Sequence, residues 1–165
     1  MIERLRGSVA VRWGLLLGGL GALVAIGQGV LPFIPLSEGA DRAFTYGAFL
    51  AYLALYFVAG ILTVRAGQAV SSGAIAGLLV GVISQAVAGL VMLGVVIAAP
   101  LQYAQSIGQP AYAKEPAALV LTAFMGLVIA LVVYGTFGAA MGALGGLILP
   151  TRPAPAARPS NSRGA

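Results

Sequence analysis

The chain has 165 residues, of which 60% are hydrophobic and only 8% charged, with a net charge of +5 and a mean hydropathy of +1.01. Soluble domains carry roughly 25% charged residues, so the composition excludes an ordinary soluble domain and places the chain in the membrane class. The absence of cysteine and histidine excludes disulfides, thiolate metal sites and the usual near-neutral proton shuttle.

Residues 1–12 form a basic N-terminus with Arg4, Arg6 and Arg12, followed by Trp13, the pattern that opens a membrane helix on its cytoplasmic side. The first span is expected over 13–31, stopped by Pro32 and Pro35. A secretory signal peptide competes for this stretch, but its apolar region is about 7–15 residues long and closes on a small-x-small site. This run is longer and ends in Gly-Gln-Gly-Val-Leu-Pro, which favours a retained span.

Residues 32–42, with Glu38, Asp41 and Arg42, read as the first outer loop. The second span, 43–64, is the aromatic one, with Phe44, Tyr46, Phe49, Tyr52, Tyr56 and Phe57. Arg65 ends it, Gly67 suits a C-terminal cap and Ser71 or Ser72 the next N-cap. A tight cytoplasmic hairpin therefore leads into the third span, 73–99.

That span carries Gly73, Gly77, Gly81, Gln85 and Gly89 at four-residue spacing. A four-residue repeat lays small residues along one helical row, which lets another backbone come close. Pro100 closes the span and opens a loop over 100–116 that is polar rather than charged, with Gln102, Tyr103, Gln105, Ser106, Gln109 and Tyr112. Such a loop is either a place where partners are met or a plain interfacial connector.

Glu115 and Pro116 suit the start of the fourth helix. No charge follows from Ala117 to Leu149, a run of ~50 Å as helix against a hydrocarbon core of about 30 Å. One long tilted helix is expected. A turn at Tyr134-Gly135-Thr136 would instead make two under-length spans and put the C-terminal arginines outside. The tail, 150–165, is rich in Pro, Ala, Ser and Arg and is expected to be disordered.

With both termini inside, the cytoplasmic side holds Arg4, Arg6, Arg12, Arg65, Arg152, Arg158 and Arg163, and the outer side only Arg42 and Lys114. This bias is a strong positive-inside signal. The expected fold is an all-α integral membrane four-helix bundle, N-in/C-in, with glycine-rich helix packing. Arginine outnumbers lysine eight to one beside abundant Ala and Gly, which points to a GC-rich bacterial source and hence to an inner membrane. The basic residues flank the spans and meet lipid headgroups; no basic patch interleaved with aromatics exists, so no nucleic-acid partner is expected.

The glycine rows are the leading candidate surfaces: Gly73, Gly77, Gly81 and Gly89 in the third span, and Gly138, Gly142 and Gly146 in the fourth. Gly14, Gly18 and Ala22 make a similar row in the first. Each glycine costs about 1 kcal/mol of helix propensity, which close backbone contact has to offset. The rows serve packing within one chain, a glycine-zipper seam between chains, or a glycine-lined groove.

Gln85 and Ser84 lie near the middle of the third span, where a buried amide needs a partner. An interhelical hydrogen bond is the structural reading and a solute contact the functional one; Gln28 carries the same pair of readings. Tyr52 and Tyr56, one turn apart, either line a cavity or pack against glycine-rich neighbours. No ionisable residue lies inside any expected span, so ion or proton coupling is not expected. No catalytic residues, metal ligands or cofactor site emerge either.

Two short echoes, GLLLG at 14–18 with GLLVG at 77–81 and YGAF at 46–49 with YGTF at 134–137, would fit a parallel duplication. The stretch with Ala59-Gly60, Arg65-Ala66-Gly67 and Gly73-Ala74-x-Ala76-Gly77 resembles small Gly/Ala-rich four-span bacterial membrane proteins of unknown function. That resemblance covers about a fifth of the chain and implies a bundle fold without any activity. The expected function is non-enzymatic association in the lipid bilayer, as a homo-oligomer or with a partner membrane protein, along the glycine rows of the third and fourth helices. The alternative is an uncoupled facilitator or pore for a small neutral solute, lined by Gln85, Gln28, Tyr52 and Tyr56.

Overall fold

The computed structural model describes residues 9–30, 34, 37–106 and 108–148. Arg4, Arg6, the Pro32 and Pro35 stop and the tail 150–165 lie outside the described residues. Four long helices carry the fold: α1 (Val9–Val30), α2 (Glu38–Arg65), α3 (Val70–Ala98) and, after a short α4 (Pro100–Ser106), α5 (Pro116–Leu147). A 3-10 turn, Pro110–Lys114, joins α4 to α5. The long helices have 22, 28, 29 and 32 residues, and each is long and apolar enough to cross a membrane.

The ends differ from the sequence reading for local reasons. α2 starts at Glu38, five residues before the expected span, because Ser37 caps it by accepting from the Ala40 N–H at 3.3 Å. Arg42 pairs with Glu38 one turn away, and the Thr45 hydroxyl donates to the Asp41 carbonyl at 3.0 Å. The charged residues assigned to a loop are thus the first turn of a helix. α3 starts at Val70 with Ala69 as its cap, so neither Ser71 nor Ser72 has the expected capping role. Gly67 does follow the end of α2 in the left-handed conformation, with φ of 81°, which suits glycine at this position.

The expected loop 100–116 is largely ordered turns of helix. Ala104 is fully buried in a small apolar cluster with Val96, Leu119 and Ala123, against which Leu93 and Tyr103 pack. α5 runs unbroken through Tyr134-Gly135-Thr136, so the two-short-spans alternative is not adopted.

Neighbour contacts give an up-down-up-down bundle. Gly14, Gly18, Gly21 and Gly29 of α1 meet Leu79, Ile83, Ser84 and Val91 of α3 in ascending order, so these two helices run parallel. Gly73, Gly77, Gly81 and Gly89 of α3 meet Gly142, Gly138, Tyr134 and Leu127 of α5 in descending order, so that pair is antiparallel. α3 is the hub, with extensive contacts to α1, α2 and α5.

The glycine rows of α3 and α5 face each other inside the chain. A Cβ at Gly77 would fall on the Gly138 carbonyl, one at Gly81 on the Tyr134 carbonyl and one at Gly142 on the Gly73 carbonyl, all closer than 3.0 Å. Gly60 and Gly145 join this contact from either side of the α2–α5 boundary, against Gly142 and the Phe57 carbonyl. Gly146 packs on the Val64 side chain. The rows are filled from within, so a seam between chains has to lie elsewhere.

The two sequence echoes occupy unlike surroundings. Gly14 and Gly18 pack on side chains, whereas Gly77 and Gly81 pack on backbone, and Gly47 meets nothing within 4 Å while Gly135 meets Val82. Large apolar residues cover the outside of the bundle, including Leu16, Leu23, Leu90 and Val132, and α5 is the least buried of the four long helices.

Candidate functional site

The structure divides the four polar candidates between two places. Gln28, Tyr52 and Tyr56 share one interior cluster, and Gln85 stands apart from them in a cleft between α3 and α5.

In the interior cluster the Tyr52 hydroxyl donates to Gln28 Oε1 at 3.3 Å, linking α2 to α1. Tyr56 stacks on Tyr52 with ring centroids 6.3 Å apart, and Phe137 of α5 meets Tyr56 edge-on at 6.3 Å. Four-residue spacing puts Tyr52, Tyr56 and Gly60 on one face of α2, and that face is buried. Ser84, one residue before Gln85, points into this cluster. Its hydroxyl bonds back to the Val80 carbonyl at 2.5 Å, with the Gly81 carbonyl at 3.2 Å.

Thr63 does the same one level further along, to the Ala59 carbonyl at 2.7 Å. Such back-bonds satisfy a hydroxyl inside an apolar bundle without help from another helix. The Tyr56 hydroxyl is buried and has no hydrogen-bond partner among the described residues. The cluster is densely filled: Tyr56, Ser84, Thr63 and Val80 are each under 2% exposed.

Gln85 continues the α3 row that meets α5. It stands between Gly81, which faces Tyr134, and Gly89, which faces the Leu127 side chain. Its level on α5 is therefore that of Ala130. The cleft there has a volume of about 190 Å³ and opens to the outside of the bundle. Gln85, Ala88, Gly89 and Met92 of α3 line it together with Thr122, Ala123, Gly126, Leu127 and Ala130 of α5 and Tyr103 of α4.

Two features make room for the cleft. Leu127 interposes a side chain against Gly89, where further down the seam backbone meets backbone. α2 also meets α5 through Tyr56, Phe57, Gly60 and Val64 of its second half, while residues 38–47 of α2 are exposed throughout.

The Gln85 side chain is half-buried and makes no hydrogen bond among the described residues. The sequence singled out Gln85 and the row on which it lies. It missed the lining residues Thr122 and Gly126, whose only signal was a small or polar side chain in the first half of α5, and it placed Tyr103 in the outer loop without linking it to Gln85.

Comparison with known protein families, characterised proteins and solved structures finds no match to this chain. Function has to be argued from the bundle itself. Among the described residues no three His, Cys, Asp or Glu side chains gather as a metal site. What the cleft offers is one primary amide, a donor and acceptor together, among mostly apolar residues, with Thr122 and Tyr103 as its other polar side chains. This arrangement suits recognition of a neutral polar group.

Proposed function

We propose that this chain is a non-enzymatic integral protein of a bacterial inner membrane, crossing the bilayer four times with both termini cytoplasmic. It acts by lateral helix association, as a homo-oligomer or as an accessory subunit of a membrane complex. The long apolar helices and their exposed Leu, Val and Phe side chains support residence in lipid, since such a surface is untenable in water. The excess of arginine in the sequence segments assigned to the cytoplasmic side supports the orientation.

One observation carries the association reading: the Gln85 amide opens sideways at mid-helix without a hydrogen-bond partner, while the glycine rows are already filled. Hydrocarbon contains no water to satisfy that amide, and each unsatisfied polar group costs several kcal/mol there. A group from outside the chain removes the cost. The facilitator reading draws on the same cleft but meets the α3–α5 seam, where backbones touch at Gly77 and Gly138 and leave no room for a solute.

The test is native mass spectrometry of a tagged copy expressed at native level and extracted in lipid nanodiscs. A stoichiometric complex, homomeric or with a second membrane protein, is the expected result. A lone monomer would overturn the association reading.

A further inference from the structure

We infer that the partner of Gln85 is Gln85 of a second copy of this chain, across a two-fold axis along the membrane normal. The inference rests on the association reading above and adds the identity of the partner and the residue at its centre.

Depth is the first argument. Gln85 lies fifteen residues after Val70 and thirteen before Ala98, about 20 Å from either end of α3. That is the middle of the hydrocarbon, roughly 15 Å from the nearest lipid headgroup, so headgroup oxygens do not reach it. Inside the chain, the α5 residue at this level is Ala130, and Tyr103, which also lines the cleft, packs on the Val96, Leu119 and Ala123 cluster toward the far end of α3. Thr122, on the same helix, is eight residues or about 12 Å away. The nearby hydroxyl of Ser84 is committed to its own helix, and the Tyr52 hydroxyl to Gln28.

Symmetry is the second argument. A partner of different sequence has to place a polar group at this depth independently. A second copy inserted in the same orientation brings its own amide to the same depth without further specification. The primary amide is self-complementary, donating through its nitrogen and accepting through its oxygen. Two copies about a two-fold axis therefore close a reciprocal pair of hydrogen bonds, with the same patch on both sides.

The cleft floor is the third argument. Gly89 is needed inside the chain, because a Cβ there would meet Leu127. Gly126 is not: like Gly19, Gly47 and Gly94 it has nothing within 4 Å, but of these four it alone lines the cleft beside Gln85. With Ala88 and Ala130 it leaves the amide accessible to a closely approaching helix, the condition for interhelical hydrogen bonding in lipid.

The chain has no cysteine, so single-cysteine probes report cleanly. Purified full-length protein labelled through Gln68→Cys, in the exposed α2–α3 turn, is reconstituted into phosphatidylethanolamine–phosphatidylglycerol vesicles. Energy transfer is then followed against protein-to-lipid ratio. The expected result is a saturable dimer that Gln85→Leu weakens roughly five- to ten-fold, the equivalent of two average interhelical hydrogen bonds. Leu23→Ala, on the exposed face of α1, is expected to leave it unchanged.

Oxidative cross-linking gives an independent readout, in which Gln85→Cys joins two chains faster than Leu23→Cys; it decides the matter should Gln85→Leu fail to fold. A monomer at every ratio, a dimer indifferent to Gln85→Leu, or equal cross-linking at both positions would each overturn the inference. If the vesicle protein is monomeric while the native-level complex holds a different protein in a Gln85-dependent manner, the second copy is wrong and the association reading survives. Monomer in both settings defeats both.

Discussion

Gly77→Ala is the sharpest test of the seam that holds α3 to α5. The added methyl would overlap the Gly138 carbonyl, with the carbonyl carbon at 2.9 Å and Gly142 Cα at 3.0 Å. These are backbone atoms and cannot rotate away, so the two helices have to part by most of an ångström. A gap of that size forfeits a quarter to a half of each van der Waals contact it opens. The loss spreads along Gly73, Gly81, Gly138 and Gly142, which share the same approach.

Overpacking of this kind costs about 1–3 kcal/mol, and the gain in helix propensity returns at most about 1 kcal/mol. With that full return the net loss is up to about 2 kcal/mol. Gly47→Ala on α2 is the matched control, because nothing lies within 4 Å of that position, and only the propensity gain applies. Reversible unfolding in mixed micelles, read by circular dichroism, should therefore move the two midpoints in opposite directions. Equal midpoints, or a more stable Gly77→Ala protein, would refute the backbone-contact account of the seam.

Three further outcomes are expected. Tyr52→Phe removes the hydrogen bond to Gln28 and should cost about 0.6 kcal/mol in the same unfolding assay, whereas Ser84→Ala, which loses only back-bonds to its own helix, should cost less. Reporters fused at Gly39 and Gln105 should both read as lying on the outer, non-cytoplasmic side of the membrane, and a cytoplasmic reading at either would sink the proposed orientation. Leu127→Ala removes the side chain that stands against Gly89, so α3 and α5 should close up there; labelling of a Gln85→Cys protein by a lipid-soluble maleimide should slow, and an unchanged rate would show that Leu127 does not prop the cleft.

Much of the bundle was legible in the sequence because its signals are long. Runs of twenty or more apolar residues mark the helices, and a four-residue glycine repeat marks a contacting row whatever it contacts. The repeat does not say which backbone fills it. Gly77 facing Gly138 within one chain depends on the register of two separate helices, α3 and α5, and no local pattern encodes that.

Helix ends were less legible because small competitions decide them. Ser37 capping α2, with Glu38 and Arg42 one turn apart, outweighed the loop-like look of charged residues. Adjacent Ser84 and Gln85 illustrate the same limit for the site. Both were visible as mid-span polar residues, yet a turn of about 100° per residue sends one into the tyrosine cluster and the other into the cleft.

The glycines sort into two groups with different consequences. Gly60, Gly77, Gly81, Gly138, Gly142 and Gly145 would each place a Cβ against backbone of a neighbouring helix, so their absent side chains set the helix spacing. Gly89 belongs to the same row but meets a leucine, and from that level α3 and α5 are held apart by the width of a side chain. Gln85 stands where one regime passes into the other. Below it, helix contact is too close to admit an amide; above it, Leu127 stands between α3 and α5 beside the cleft. An amide at that junction is half-buried yet open to the cleft, and the proposed association rests on this combination.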